Sequence, residues 1–586
     1  MPIRIGGLAS GLDIDSIVSD LMKVERTRVD EVEQNKIILE WTRDRYNEVN
    51  KMLADFVLNT RKFFGLTDIS SGTIINKSVS SLKWIKTAVA ADQTISDVSA
   101  RANAVIGTYS IKVHQLASNW SSASSEKISA EGADKSNIRS QFSLTSDDII
   151  DFTITTNAGK ADEQRIQVYI SSSKVSIKTL SRKGEGWEEN EITLNGKNIS
   201  NFGLKDIANH INNADIGVTA FYDESIDRFF LQTNGTGEKS TILLSDNSKL
   251  YDGSGSLSGD SFIGKLKLQY DNSGTPANVE LDYEYSGQDA IIDFGMAKGI
   301  RQSSNQFTIN NIDFSLKKTG DTVVKIEADE NAIIEKIKEF VDQYNELIDK
   351  LDDILGETRY RSYAPLTKEQ KEAMKEKEVE LWEEKAKSGL LRNDQVIGSI
   401  LQNLRIGLYE SVEGTLGTFQ HLTEIGIETE SYVSGSRGGK LKIDETKLRD
   451  ALRDDVNGVI ELLFKQPDSG ITDEKEKRRN TGLIGRIYGD LIAGMKEIIV
   501  KAGPGKDAQL FRNVNSTMLI DFVTKHSSIS MLDKSINDYS KRILELERRL
   551  ASKEEQYWKR FTAMETALNK MYAQSSWLYQ QFSNMR

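Results

Sequence analysis

The sequence predicts an α+β multidomain chain: long helical coiled-coil arms from both termini forming a helical bundle, with β-rich domains inserted between them. Three observations predict it. Apolar residues recur every seven positions at both ends, they alternate with a period of two in the middle, and 586 residues hold three or four domains at roughly 100–200 residues each.

Asp13 or Asp15 stands ready to cap a first helical turn. Ile14, Val18, Leu21, Val32, Leu39, Tyr46, Val49, Leu53, Phe56 and Phe63 then fall on two seven-residue rows, a coiled-coil pattern with polar breaks at Glu25, Arg28, Asn35 and Thr42. The C-terminal end repeats it. Ile543, Leu550, Tyr557, Met564 and Met571 make one row, and Leu546, Phe561 and Leu568 a second that drifts by one position past Lys553 and Arg560. The charges of RRLASKEEQYWKR are expected to face water. Each buried Leu-sized side chain is worth about 1.5–3 kcal/mol, which offsets chain ordering only when the stripes meet a partner. The arms therefore fold against each other, against neighbouring copies, or both.

From about Thr73 to Asp329 the period becomes two: Tyr109, Ile111 and Val113; Ile166, Val168 and Ile170; Val175 and Ile177; Leu266, Leu268 and Tyr270; Leu281, Tyr283 and Tyr285. Asn195–Gly196 reads as a two-residue hairpin turn. Leu204, Ile207, Ala208 and Ile211 mark one amphipathic helix. Helical spacing returns with the apolar face from Ile333 to Leu351. Residues 368–387 mix both charge signs, as on a solvated helix face. A short strand, LKI, precedes a helix capped near Asp444, and Gly503-Pro504-Gly505 makes a loop before the last arm. The expected segments are 1–72, a helical arm; 73–116 and 290–330, two parts of one β domain; 117–289, an inserted variable β-rich domain; 331–530, a helical domain with a charged insertion and a β-hairpin; and 531–586, the C-terminal arm.

Composition closes several routes. A net charge of −12 argues against non-specific nucleic-acid binding, which needs basic surface to replace phosphate counterions. No apolar run approaches the roughly 20 residues of a membrane span. The N-terminus carries no charged region followed by an apolar core, so no cleavable secretory signal is expected. With no cysteine, disulfides, thiolate metal sites and cysteine nucleophiles are excluded. His114, His210, His421 and His526 are never within ligand spacing of one another, and HExxH and GxSxG are absent. The run ending at Lys440 resembles a phosphate loop but has Ser434 where the first glycine belongs and Leu441 where Ser or Thr is needed; a flexible hairpin is the better reading. No enzyme, catalytic residue, cofactor or metal site is expected.

IGGLASGLDIDSIVSDLMKVERTRVD, WTRDRYNEVN, GTYSIKVHQLAS, IKEFVDQYNELIDKL, WEEKAKSGLLRND, LTEIGIETE, KLKIDETKLRDALRDDVNGVIELLF and FTAMETALNKMYAQSSWL together resemble, in order and over nearly the whole chain, the flagellar filament cap proteins of the hook-associated protein 2 family, and the stretch 204–242 resembles the repeat in the inserted domains of flagellins and related axial proteins. Residues 119–197 carry least of the likeness. The resemblance implies export through the flagellar type III apparatus and assembly at the filament tip as a small ring, most often a pentamer. In that ring a β-built head plate stands on helical legs that guide flagellin into place. Zero Cys and 5 Pro suit refolding after export, with no thiol errors and few slow prolyl steps.

Joined to the heptad rows, the resemblance assigns leg contacts, with neighbouring copies or flagellin, to Val18, Leu21, Val32, Leu39, Tyr46, Val49, Leu53, Phe56, Ile543, Leu546 and Leu550. The breaks at Glu25, Arg28, Asn35, Lys553 and Arg560 are candidates for keeping those contacts adjustable. The family's export chaperone binds the C-terminal segment, here Tyr557, Phe561, Met564, Leu568, Met571, Trp577 and Leu578. The alternatives are another flagellar axial or junction protein, and an adhesin whose head binds host surface ligands through Trp120 or Trp187.

Overall fold

A computed structural model describes residues 13–70, 73–195, 201–251, 256–257, 259–430, 438–526 and 528–583. The chain forms two compact units, a helical one from Met1–Leu82 with Glu330–Arg586 and a β-rich one, Lys83–Asp329. The helical unit opens with α1 (Ile14–Phe64), a segment free of Gly and Pro, the two residues that break helices. Asp13 caps it, its Oδ1 accepting from the Ser16 N–H at 3.0 Å. Gly65 ends it with φ +78°, the left-handed conformation that frees its N–H to turn back to Arg61 and Lys62. A hairpin of Thr67–Ser70 and Thr73–Asn76 follows.

In the β-rich unit, alternation sets two cores. One lies between a five-stranded antiparallel sheet (order Ala297–Gln302, Ala290–Phe294, Gly107–Gln115, Gly320–Ala328, Lys86–Ala90) and a three-stranded one (Gln306–Ile309, Ile312–Leu316, Ser96–Ala100). Ile111, Val113, Phe314 and Ile326 fill it. The other core contains Trp120 through Tyr285. A six-stranded sheet runs Gly186–Asn195, Lys174–Lys183, Gln164–Ile170, Ile150–Thr156, Thr241–Asp246, Glu284–Ser286. A five-stranded one runs Val218–Asp223, Arg228–Thr233, Ser121–Ser124, Leu268–Asn272, Thr275–Asn278. Ile166, Val168 and Ile170 are fully enclosed here, as the period-two reading requires. The helices α2 (Ile138–Gln141), α3 (Leu204–Asn213) and α4 (Phe262–Lys265) add Ile138, Leu204, Ile207, Ile211 and Phe262 to this core. Leu281 and Tyr283, expected in a strand, lie just outside one: only Glu284–Ser286 pairs. The chain passes between the cores at Ser118 and Gln288, which exchange backbone hydrogen bonds at 2.9 and 3.0 Å. Gly287 permits that crossing, because a Cβ there would stand 2.2 Å from the Ser118 carbonyl oxygen. The turn expected at Asn195–Gly196 lies at the edge of the described residues.

The helical unit resumes with α5 (Glu330–Gly356), whose apolar face from Ile333 to Leu351 is buried. The charged stretch divides into α6 (Lys368–Ala373) and α7 (Glu376–Lys387), largely solvated, with Ala386 buried and Val379, Trp382 and Glu383 half-buried. Then come α8 (Gln395–Tyr409), a two-stranded pairing of Ile427–Thr429 with Leu441–Ile443, and α9 (Glu445–Phe464) capped by Asp444. Residues 431–437, most of the apparent phosphate loop, lie outside the description. After α9 come α10 (Glu474–Arg479) and α11 (Leu483–Ala502). The 503–507 loop does not lead straight to the last arm: α12 (Ala508–Val514) and α13 (Met518–His526) intervene before α14 (Met531–Ser583). Arg486 of α11, 2% exposed, donates to the carbonyls of Gly407, Glu410, Ser411, Arg478 and Arg479 at 2.6–3.4 Å. It satisfies the chain ends of α8 and α10 that have no helical partners.

Candidate functional site: the paired terminal helices

Helices α1 and α14 pack against each other. Lys553 Nζ meets Glu25 Oε2 at 2.5 Å, the Tyr557 hydroxyl donates to Glu25 at 3.4 Å, and Arg43 meets Asp533 at 3.2 Å. Low numbers on α1 face high numbers on α14, so the two run antiparallel. The Lys553 ammonium, followed by Tyr557, holds the Glu25 carboxyl below its ordinary range. The two breaks Glu25 and Lys553 are thus one charged layer across the seam, and Lys553 does not simply face water. Arg28, Asn35 and Arg560 are exposed; Thr42 donates to the Ile38 carbonyl at 2.7 Å.

Of the α1 residues singled out, Val18, Val32, Tyr46, Val49, Leu53 and Phe56 are buried, Leu39 is half-buried, and Leu21 is 36% exposed. On α14, Ile543, Leu546, Leu550, Tyr557, Phe561, Met564 and Leu568 are half-buried. Met571, Trp577 and Leu578 are 64, 58 and 48% exposed. Helix α1 changes partner along its length, since its later turns also pack on α5, α11 and α12. There Phe64 meets Phe464 and Phe340, with ring centroids 4.9 and 5.4 Å apart. The sequence reading missed a third row, Val29, Asn50, Val57 and Phe64, all buried and in seven-residue register. Asp15, Met22, Lys36 and Arg43 share that row and mask its signal.

Tyr46 anchors a polar hub. Its hydroxyl donates to Asp394 Oδ2, Lys501 of α11 reaches the same oxygen at 3.1 Å, and Lys501 Nζ lies 4.6 Å from the centroid of the Tyr46 ring. Asp394 Oδ1 caps α8 by accepting from Val396 and Ile397. Burial pushes the Asp394 carboxyl up, but Tyr46, the Ile397 N–H and Lys501 outweigh it and hold it below its usual range. The charged stretch lies against α1 through Lys387, whose Nζ is 5.0 Å from the centroid of the Trp41 ring, and just before that stretch Gln34 donates to the Pro365 carbonyl at 2.7 Å.

His114 pairs with Asp293 at 3.0 Å, and His210 packs on Phe202, burial lowering its pKa. The side chain of His526 lies outside the description. Among the described residues no group of three or more acidic or imidazole side chains is placed to hold a metal ion, and no helix is long and apolar enough to cross a membrane. Trp120 is buried and stacked on Tyr285; Trp187 is exposed, with the Arg165 guanidinium 4.7 Å from its ring centroid.

Two family models match the chain, Flagellar hook-associated protein 2 N-terminus over residues 10–120 and Flagellar hook-associated protein 2 C-terminus over 287–573. The flagellar hook-associated protein 2 of Halalkalibacterium halodurans is 32% identical over 99% of this chain and all of its own length. The chain belongs to the flagellar hook-associated protein 2 family. The Salmonella typhimurium member is 26% identical over 73% of this chain and 76% of its own. A crystal structure of the flagellar cap protein FliD D1-D2-D3 domains from Escherichia coli aligns at 18% identity and a TM-score of 0.46, covering 78% of this chain and 95% of that one. Residues 121–286, between the two family matches, form nearly all of the second β core.

Proposed function

We propose that this chain is the structural cap at the distal tip of the bacterial flagellar filament, required for elongation because it guides insertion and folding of exported flagellin. Family membership along the whole chain carries this reading. The paired arms support it. The mechanism is binding without turnover: many modest contacts hold the cap in place yet release each inserted subunit. Residues 1–72 and 531–586, with the helical domain 331–530, make the leg. The segments 73–116 and 290–330 make one discontinuous β domain of the head, and 117–289 the variable one. The assembly is a homopentameric ring, extracellular, reached through the flagellar type III export apparatus. Leg contacts with neighbours or flagellin run along the assigned α1 and α14 rows, where Leu21, Leu39, Ile543, Leu546 and Leu550 keep exposed surface. Cells lacking the chain should shed unpolymerised flagellin into the medium; normal filaments on such cells would refute the cap.

The export chaperone takes the end of α14. Met571, Trp577 and Leu578 leave large apolar area in water, which favours a partner before assembly. Deleting residues 561–586 should abolish co-purification with the chaperone, and retained binding would place its site elsewhere.

A further inference from the structure

Between residues 15–29 of α1 and 547–558 of α14 lies a cleft of about 550 Å³. Val29 and Leu550 line its floor, and Met22 and Trp558 its walls. Ser19 and Ala551, both small and exposed, leave room for close approach. Leu544, Ala551 and Trp558 recur every seven residues on this flank, and Leu544 is 56% exposed. Such a row beside a two-helix pair is the seam of a bundle that admits another strand. The stretch of α1 involved is about 20 Å long, four turns of helix.

The rim is acidic in effect. Lys23 is paired with Asp20 at 3.0 Å, and Arg26 with Asp30 at 3.6 Å and Glu369 at 3.9 Å. Asp15, Glu547 and Glu554 have no basic partner among the described residues. We propose that this cleft docks an α-helix of another protein, one with an apolar stripe at seven-residue spacing flanked by Lys or Arg. The exposed end of a second copy's α14 fits less well. Residues 566–583 carry one cation, Lys570, and lie about 30 Å farther along the same helix at 1.5 Å per residue.

The test titrates the full chain, at low salt, into fluorescein-labelled 21-residue peptides read by anisotropy. One has Leu at heptad positions a and d with Lys at e and g; the second has Glu at e and g; the third keeps the Lys but has Ser at a and d. The Leu/Lys peptide should bind at least tenfold tighter than either control. Ala551→Arg, at an exposed wall position, should weaken it tenfold or more with an unchanged thermal melt, and Glu547→Lys with Glu554→Lys should weaken it too. Equal affinity for all three peptides, or indifference to Ala551→Arg, overturns the proposal. So does tighter binding after removal of residues 1–12, which assigns the cleft to the chain's own N-terminus. Loss of self-association by Ala551→Arg in sedimentation assigns it to a second copy and overturns it as well. The titration needs no filament growth, so its failure is separable from failure of the cap reading.

Discussion

Three asparagine side chains stand in for missing strand neighbours. Asn212 bridges the backbone N–H and carbonyl of Ala220 at 2.7 and 2.8 Å, Asn345 does the same for Leu441, and Asn305 for Ala117 at 2.8 Å each. On the edge strand Val218–Asp223 the Asn212 bridge occupies backbone groups that would otherwise invite another chain. These pairings span 8 to 188 residues, and an Asn in a helix, as Asn212 and Asn345 are, or in a bend, as Asn305 is, gives no hint of its partner. The same holds for Asp394. Its N-cap role was open to sequence reasoning, since Asp precedes an apolar-periodic run, but the Tyr46 and Lys501 contacts were not. Asp394→Asn keeps the cap and leaves Lys501 without its carboxylate, which should cost about 1–3 kcal/mol at pH 7 in urea unfolding. The folded carboxyl titrates below the unfolded one, near pH 3.9. Its stabilisation is therefore complete above that value and lost as pH falls through the lower, folded value. The gap between wild type and variant should close in acid; a gap constant down to pH 2 would deny the carboxylate's part.

At the scale of elements, long periodic stretches were legible and their partners were not. The seven-residue rows located α1 and α14, and period two located the strands Gly107–Gln115, Gln164–Ile170 and Lys174–Lys183 but not most of the strands they pair with. Local pattern cannot choose between pairing within one chain and pairing between copies. The two short helices before α14 went unseen because Asn513, Asn515 and Ser516 interrupt their apolar spacing. The kink of α9 at Asp455 was also hidden, for the cause is tertiary: Thr418 donates to its carboxylate at 3.2 Å while Gly458 donates from the helix itself at 2.8 Å. The Glu25–Lys553 layer makes a prediction about register. Glu25→Lys alone should raise hydrogen exchange several-fold in residues 14–32 and 543–560. Adding Lys553→Glu should restore protection, and replacing both by Leu should tighten self-association. Exchange that ignores the single change would mean that the layer does not fix the pairing.

For the whole molecule, the sequence shows one chain with apolar-striped ends and a β-built middle, and its family supplies the setting in which that layout has a purpose. The tightly packed cores explain why each unit holds together. They leave in solvent the feature an assembly factor needs, a helix end that exposes Met571, Trp577 and Leu578. A cap differs from a junction or shaft protein in where it sits. Immunogold labelling of filaments with antibody against residues 117–289 tests this most directly. Gold confined to the distal ends is the predicted result; gold along the shaft or at the hook junction would contradict a capping role.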